Sequence, residues 1–174
     1  AIDCIRATAS SHERCFLIEV MGRESGFLAV NVGIAGGAEF IIIPEFPISY
    51  QKIIDKARER NKIKKSTIII VAEADIKPGR SLKLAEDIKN ASGIEFKSCI
   101  LGHIQRGGNP TVFDRTIASR MGEFAVRAIC ANKNNKMIAV HQGNLTLINF
   151  NDSIGKEKLL ENNELIRLSS VLAN

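Results

Sequence analysis

At 174 residues, with 45% hydrophobic and 25% charged side chains, the chain is long enough for one domain of ordinary size with a true core. No apolar run approaches the roughly 18 residues a membrane-spanning helix requires, so no such helix, and no membrane partner, is expected. The formal charge of +5 suits small anionic ligands; nucleic acid is set aside, because there is no Trp, a single Tyr and no clustering of basic side chains with aromatics.

Residues 1–9 read as a helix with Ile2 and Ile5 on one side and no capping residue ahead of it. That is more natural for the tail of a longer helix, and with no initiator Met the chain is expected to be a piece. Cys15 to Met21 is a nearly continuous apolar run, as for a strand covered on both faces. Gly22 and Gly26 bracket Arg23-Glu24-Ser25, a helix runs from Phe27 to Ala35 until Gly36-Gly37 stops it, and Phe40 to Pro44 is the next strand. Strand, glycine turn, helix, strand is a βαβ unit, which predicts parallel pairing and ligands at the carboxyl ends of the strands.

Ser49 to Lys65 reads as an N-capped, strongly basic helix with Ile53, Ile54 and Ala57 inward. Thr67 to Ala72 is the clearest buried strand, and Glu73 stands at its carboxyl end, where a carboxylate can accept hydrogen bonds from a ligand. After a loop over 76–80, Ser81 is expected to cap a helix that turns Leu82, Ala85 and Ile88 inward and ends towards Gly93. The strand Glu95 to Leu101 delivers His103. From Thr111 to about Asn132, Phe113, Ile117, Met121, Phe124 and Ala128 recur at helical spacing. Two strands, Met137–His141 and Leu145–Ile148, flank a turn, and Glu164 to Leu172 forms a last helix. The expected fold class is α/β: a three-layer αβα arrangement around a mostly parallel sheet of βαβ units. Cys4, Cys15, Cys99 and Cys130 show no Cys-x-x-Cys spacing. Neither a metal site nor a disulfide framework is expected, and with no signal peptide in view the setting reads as reduced and cytoplasmic.

Leu101-Gly102-His103-Ile104-Gln105-Arg106-Gly107-Gly108-Asn109-Pro110 carries the densest chemistry. Arg106 offers a charged planar fork, His103 a hydrogen-bond donor, and the glycine pair a main chain without Cβ atoms, all suited to an anion such as phosphate. The same residues also suit a sharp turn with His103 and Arg106 on its rim.

This stretch, with Phe113-Asp114-Arg115 and Ala118-Ser119-Arg120-Met121-Gly122, resembles the sugar-phosphate loop and following helix of the bacterial 6-phosphofructokinases. Ile18-Glu19-Val20-Met21-Gly22-Arg23, with Gly26, resembles a second long signature of that family. The resemblance covers essentially the whole chain and implies the carboxyl-terminal half of an enzyme that moves a phosphoryl group from ATP, with Mg²⁺, to O1 of fructose 6-phosphate in a homotetramer. It divides the chain into a sugar-phosphate-binding domain, 1–103, and a segment, 104–174, that completes the fold against an amino-terminal half. Met21, Gly22, Glu73, His103, Gln105 and Arg106 would bind the sugar phosphate, and Arg23 would oppose charge on the transferring group.

Arg14 and Lys97 would reach the 6-phosphate across a subunit interface, although Lys97 replaces an arginine and so lacks its fork. A nucleoside diphosphate effector would meet Arg6, Gly37, Ala38, Glu39, Lys62, Lys64 and Ser66, with Glu39 a possible ligand of its Mg²⁺; Ser66 stands where many members have histidine. The chain contains no Gly-Gly-Asp-Gly and no candidate proton acceptor in a matching context, so the isolated chain is expected to be inactive. A pyrophosphate-dependent kinase, or a non-catalytic binding protein of the same fold, are the alternative implications.

Overall fold

The computed structural model describes residues 1–46, 49–63, 66–73, 79–154 and 164–172. The chain divides into two compact units, Ala1–Arg106 with Leu159–Asn174, and Gly107–Lys158. The sequence-based boundary at 103/104 lies three residues earlier and groups the last helix with the other unit. Observed packing explains the difference, since that helix lies against the second helix and second strand of the first unit.

The first unit contains α1 (Ile2–Ser11), β1 (Cys15–Val20), α2 (Phe27–Ala35), β2 (Phe40–Ile42), α3 (Tyr50–Ile63), β3 (Ile68–Ala72), α4 (Arg80–Ser92) and β4 (Phe96–Ile100). All four strands are parallel, in the order β2-β3-β1-β4. Because side chains alternate across a strand, the inner strands feed two cores. Leu17, Ile69 and Val71 meet Ile53 and Ala57 of α3 and Leu84 and Ile88 of α4 on one face. Ile18, Val20, Ile68 and Ile70 meet Ala9 of α1 and Ala29 and Val30 of α2 on the other. The result is the expected three-layer αβα fold, with β3 buried along its whole length. Each fully buried Ile or Leu contributes about 1.5–3 kcal/mol of apolar transfer.

The second unit holds α5 (Val112–Cys130) and an antiparallel hairpin, β5 (Lys136–His141) and β6 (Asn144–Asn149). The last helix, α6 (Glu164–Leu172), packs Leu165 and Ile166 onto the α1/α2 core of the first unit.

Three local expectations fail. Ser81 does not cap α4: the cap position is Gly79, at φ 114°, and Ser81 lies inside the helix with its hydroxyl given to Glu19. Leu82 is exposed while Leu84 takes the inward position beside Ile88, because helical spacing fixes a period but not which phase meets the sheet. Phe113 is likewise exposed, one turn too early to share the half-buried side of Ile117, Met121, Phe124 and Ala128. Ser49 does accept a hydrogen bond from Lys52 N–H at the start of α3.

Candidate functional site

Strands β3, β1 and β4 end side by side, and each hands on to a residue singled out in the sequence. Glu73 follows β3, Met21 and Gly22 follow β1, and a 3₁₀ turn over Gly102–Gln105 follows β4. Neighbouring strands are about 4.8 Å apart, so the three ends span roughly 10 Å. Main-chain bonds fix them together. Glu73 N–H donates to the Val20 carbonyl at 2.8 Å, and Leu101 N–H to the Glu19 carbonyl at 3.1 Å. Met21 N–H donates to Gln105 Oε1 at 3.2 Å, while Gln105 Nε2 donates to the Gly102 carbonyl at 2.9 Å. Both ends of the Gln105 amide are thus engaged in joining β1 to the 3₁₀ turn.

Glu73 is half-buried, His103 and Arg106 are exposed, and among the described residues nothing bonds their side-chain polar atoms. After Met21 the chain turns sharply, with Ser25 N–H donating to the Gly22 carbonyl at 2.8 Å. A Cβ at Gly22 would lie 2.3 Å from the Ser25 carbonyl oxygen, so the turn requires glycine. Arg23 follows in the left-handed region, at φ 49°, and is exposed. A carboxylate acceptor, an imidazole and a guanidinium thus stand at one sheet edge, a set able to hold a polyol and an anion together. An apolar cavity of about 430 Å³ opens beside Val20, Leu101 and Gln105. Gly107 and Gly108 belong to the second unit, where Gly107 has φ 72°.

Arg14 and Lys97 lie elsewhere. Lys97 pairs with Phe16 near the amino end of β1, and both basic residues line a polar hollow of about 400 Å³ with Ser92, Gly93 and Glu95. Lys97 Nζ lies 3.1 Å from Glu95 Oε1, and that hydrogen bond is the main reason the Glu95 carboxyl lies below the ordinary carboxylate range. At about 3.3 Å per residue, the six residues of β1 put this edge roughly 20 Å from the Met21 edge.

The effector candidates form a third group. Arg6 donates through Nε to the Gly36 carbonyl at 2.9 Å and through Nη2 to the Gly37 carbonyl. Gly37 has φ 65°, and Ala38 N–H returns to the Gly33 carbonyl at 2.7 Å. Glu39 is buried, and its Oε2 accepts from Ile68 N–H at 2.7 Å. Ser66 is buried and Lys62 exposed; Lys64 lies outside the described residues. Among the described residues, no cluster of three or more His, Cys, Asp and Glu side chains is placed to hold a metal ion.

The family model for Phosphofructokinase matches residues 1–129. The chain belongs to the phosphofructokinase family. It is 46% identical over 172 residues to the ATP-dependent 6-phosphofructokinase of Coxiella burnetii, covering 99% of this chain and 52% of that protein. Identity to ATP-dependent 6-phosphofructokinase 1 of Thermus thermophilus is 43% over 176 residues, covering 99% and 53%. This phosphofructokinase-family chain therefore spans about half the length of the curated relatives it matches. Among solved structures, Saccharomyces cerevisiae phosphofructokinase aligns with a TM-score of 0.74 at 30% identity, over 98% of this chain and 22% of that one. A pyrophosphate-dependent phosphofructokinase from Nitrosospira multiformis aligns with a TM-score of 0.80 at 21% identity, over 99% and 52%, a likeness of fold alone.

Two buried or half-buried carboxylates escaped the sequence reading as chemistry. Glu45 accepts Gly26 N–H with both oxygens, at 2.8 and 2.9 Å, and so holds the start of α2. Glu19 holds the start of α4. For Glu19 a signal was present: it is the one charged residue in a strand whose other side chains are apolar.

Proposed function

We propose that this chain is the sugar-phosphate-binding half of a 6-phosphofructokinase. The observation that carries the reading is the convergence of Met21-Gly22, Glu73 and His103–Arg106 on the carboxyl edge of β3, β1 and β4, in a chain of this family. Glu73 would accept from sugar hydroxyls, Met21 and Gly22 would form the wall against the ring, and His103 and Arg106 would contact the phosphorylated sugar. Gln105 would act mainly by holding Met21 in place. In the whole reaction, O1 of fructose 6-phosphate attacks the terminal phosphorus of a nucleotide, the bond to the nucleoside diphosphate breaks, and the O1 proton passes to a base. Arg23 would offset charge on the group in transit.

The donor nucleotide is taken to be ATP because the curated relatives at 40–46% identity are named ATP-dependent. The carboxylates needed for the catalytic Mg²⁺ and for proton acceptance would come from a nucleotide-binding half. Among the described residues, no cluster of His, Cys, Asp and Glu would hold that metal. Arg14 and Lys97 lie too far from Glu73 to share one hexose phosphate within a chain, which supports their use by a neighbouring subunit of a homo-oligomer, a tetramer by resemblance. Arg6 and the 36–39 turn would take a nucleoside diphosphate, and Glu39, whose Oε2 accepts from Ile68 N–H, would be the candidate ligand of its Mg²⁺. A cytoplasmic enzyme of glycolysis is the setting this reading implies.

Two measurements test it. Titration of the 174-residue protein with fructose 6-phosphate should move the amide resonances of Met21, Gly22 and Glu73, and fructose should not; no response to the phosphorylated sugar overturns the substrate class. A coupled assay of the same protein with ATP and fructose 6-phosphate should show no turnover. Turnover would overturn the need for a second half.

A further inference from the structure

Glu19 is 2% exposed on a central strand, and among the described residues it forms no ion pair with a lysine or arginine. A carboxylate taken out of water is strongly unfavourable unless donors replace its hydration. Here three do. Oε1 accepts Gly79 N–H at 2.9 Å, and Oε2 accepts both Ser81 N–H at 2.9 Å and the Ser81 hydroxyl at 2.7 Å. These are free donors of the first turn of α4, whose cap residue is a glycine with no side chain to satisfy them. Glu19 thus supplies, from a strand 60 residues back in the sequence, the cap that α4 lacks.

The main chain of the same two residues holds the rest of the edge. The Glu19 carbonyl accepts Leu101 N–H, at the exit of β4 towards His103, and the Val20 carbonyl accepts Glu73 N–H. Residues 19 and 20 therefore grip the segment between β3 and α4 at both of its ends. We infer that Glu19 is a positioning residue: by tying the start of α4 to β1, its carboxylate fixes where Glu73 stands beside Met21 and the 3₁₀ turn. The inference rests on the sugar-phosphate reading of that edge.

The test uses Glu19→Gln, which keeps the side-chain volume but sets an NH₂ group against amide donors, and Ser81→Ala, which removes one donor and leaves two. Amide hydrogen exchange at Gly79 and Ser81 and affinity for fructose 6-phosphate are read by NMR on the 174-residue protein. In Glu19→Gln, exchange at both amides should accelerate at least tenfold and affinity should fall at least tenfold, with Ile69 and Ile70 still protected. Ser81→Ala should shift both readouts in the same direction by less. If exchange accelerates while affinity stays within twofold, Glu19 is a structural cap and the positioning role is overturned; unchanged exchange overturns the anchoring itself. Should Glu19→Gln fail to fold, Ser81→Ala decides on the same two readouts. Failure of the unmodified protein to respond to fructose 6-phosphate overturns the substrate reading before any variant is made, and the exchange data still decide the anchoring.

Discussion

The two units differ in what holds them. In the first, β1 and β3 are dry on both faces, with Leu17, Ile18, Ile69 and Ile70 all at 0% exposure. In the second, not one described residue is buried, and Val112, Phe113 and Ile129 of α5 are 81%, 73% and 66% exposed. Order in α5 therefore comes from bonds within the helix. Thr111 and Asp114 form a capping box, and Arg127 pairs with Glu123 one turn away. The first unit is specified by contacts distant in sequence, and the second by bonds three or four residues apart in α5 and by a hairpin whose pairs are at most 13 residues apart.

The largest expected effect separates them directly. Ile70→Ala should cost about 2–5 kcal/mol in urea or thermal unfolding, whereas Phe113→Ala should stay within about 0.5 kcal/mol. Equal losses would break the comparison. Next in size, Thr111→Ala should accelerate amide exchange over the first turn of α5 and leave β3 unchanged. Acid should act alike. The hydrogen bond from the Thr111 hydroxyl, with that from its main chain, lowers the Asp114 pKa. A depressed carboxylate contributes above its unfolded value, about 4, and that contribution is lost as pH falls through the lower folded value. Exchange at the start of α5 should accelerate there.

Cysteine reactivity gives a smaller, sharper contrast. Burial raises the Cys15 pKa, partly offset by hydrogen bonding to Thr67, while Cys4 and Cys130 are exposed. Iodoacetamide should modify the exposed Cys4 and Cys130 first and the buried Cys15 last, and comparable rates at all three would break the contrast. The smallest effect belongs to the rim: Lys97→Ala should let the Glu95 pKa rise towards its ordinary value in an NMR titration with unfolding hardly moved.

The same division governs what could be read from the sequence. Strands β1 and β3 were legible because burial on both faces leaves apolar runs, and α2 because two glycines end it. The separation of Arg14 and Lys97 from Glu73 followed once the strands were parallel, since one pair precedes or opens its strands and the other residue ends one. The start of α4 was not legible, because its acceptor lies in another strand and the glycine before it carries no sign of that bond. Nor was the engagement of Gln105, whose partner Met21 is 84 residues away. Leu82 and Phe113 show the remaining gap: at Leu82 the period was right and the phase wrong, and at Phe113 the phase was right but the half-buried stretch begins one turn later.

The strand order β2-β3-β1-β4 also carries a consequence for biosynthesis. Of the four strands β1 leaves the ribosome first, yet it does not pair with β2, the next to emerge. It must wait for β3 and then for β4, whose closure onto β1 spans the longest stretch of chain between paired strands of this sheet. Until then β1 presents two unpaired edges to solvent or to a chaperone. The ligand edge, which needs all three strand ends, is therefore the last part of this sheet to come into being during synthesis.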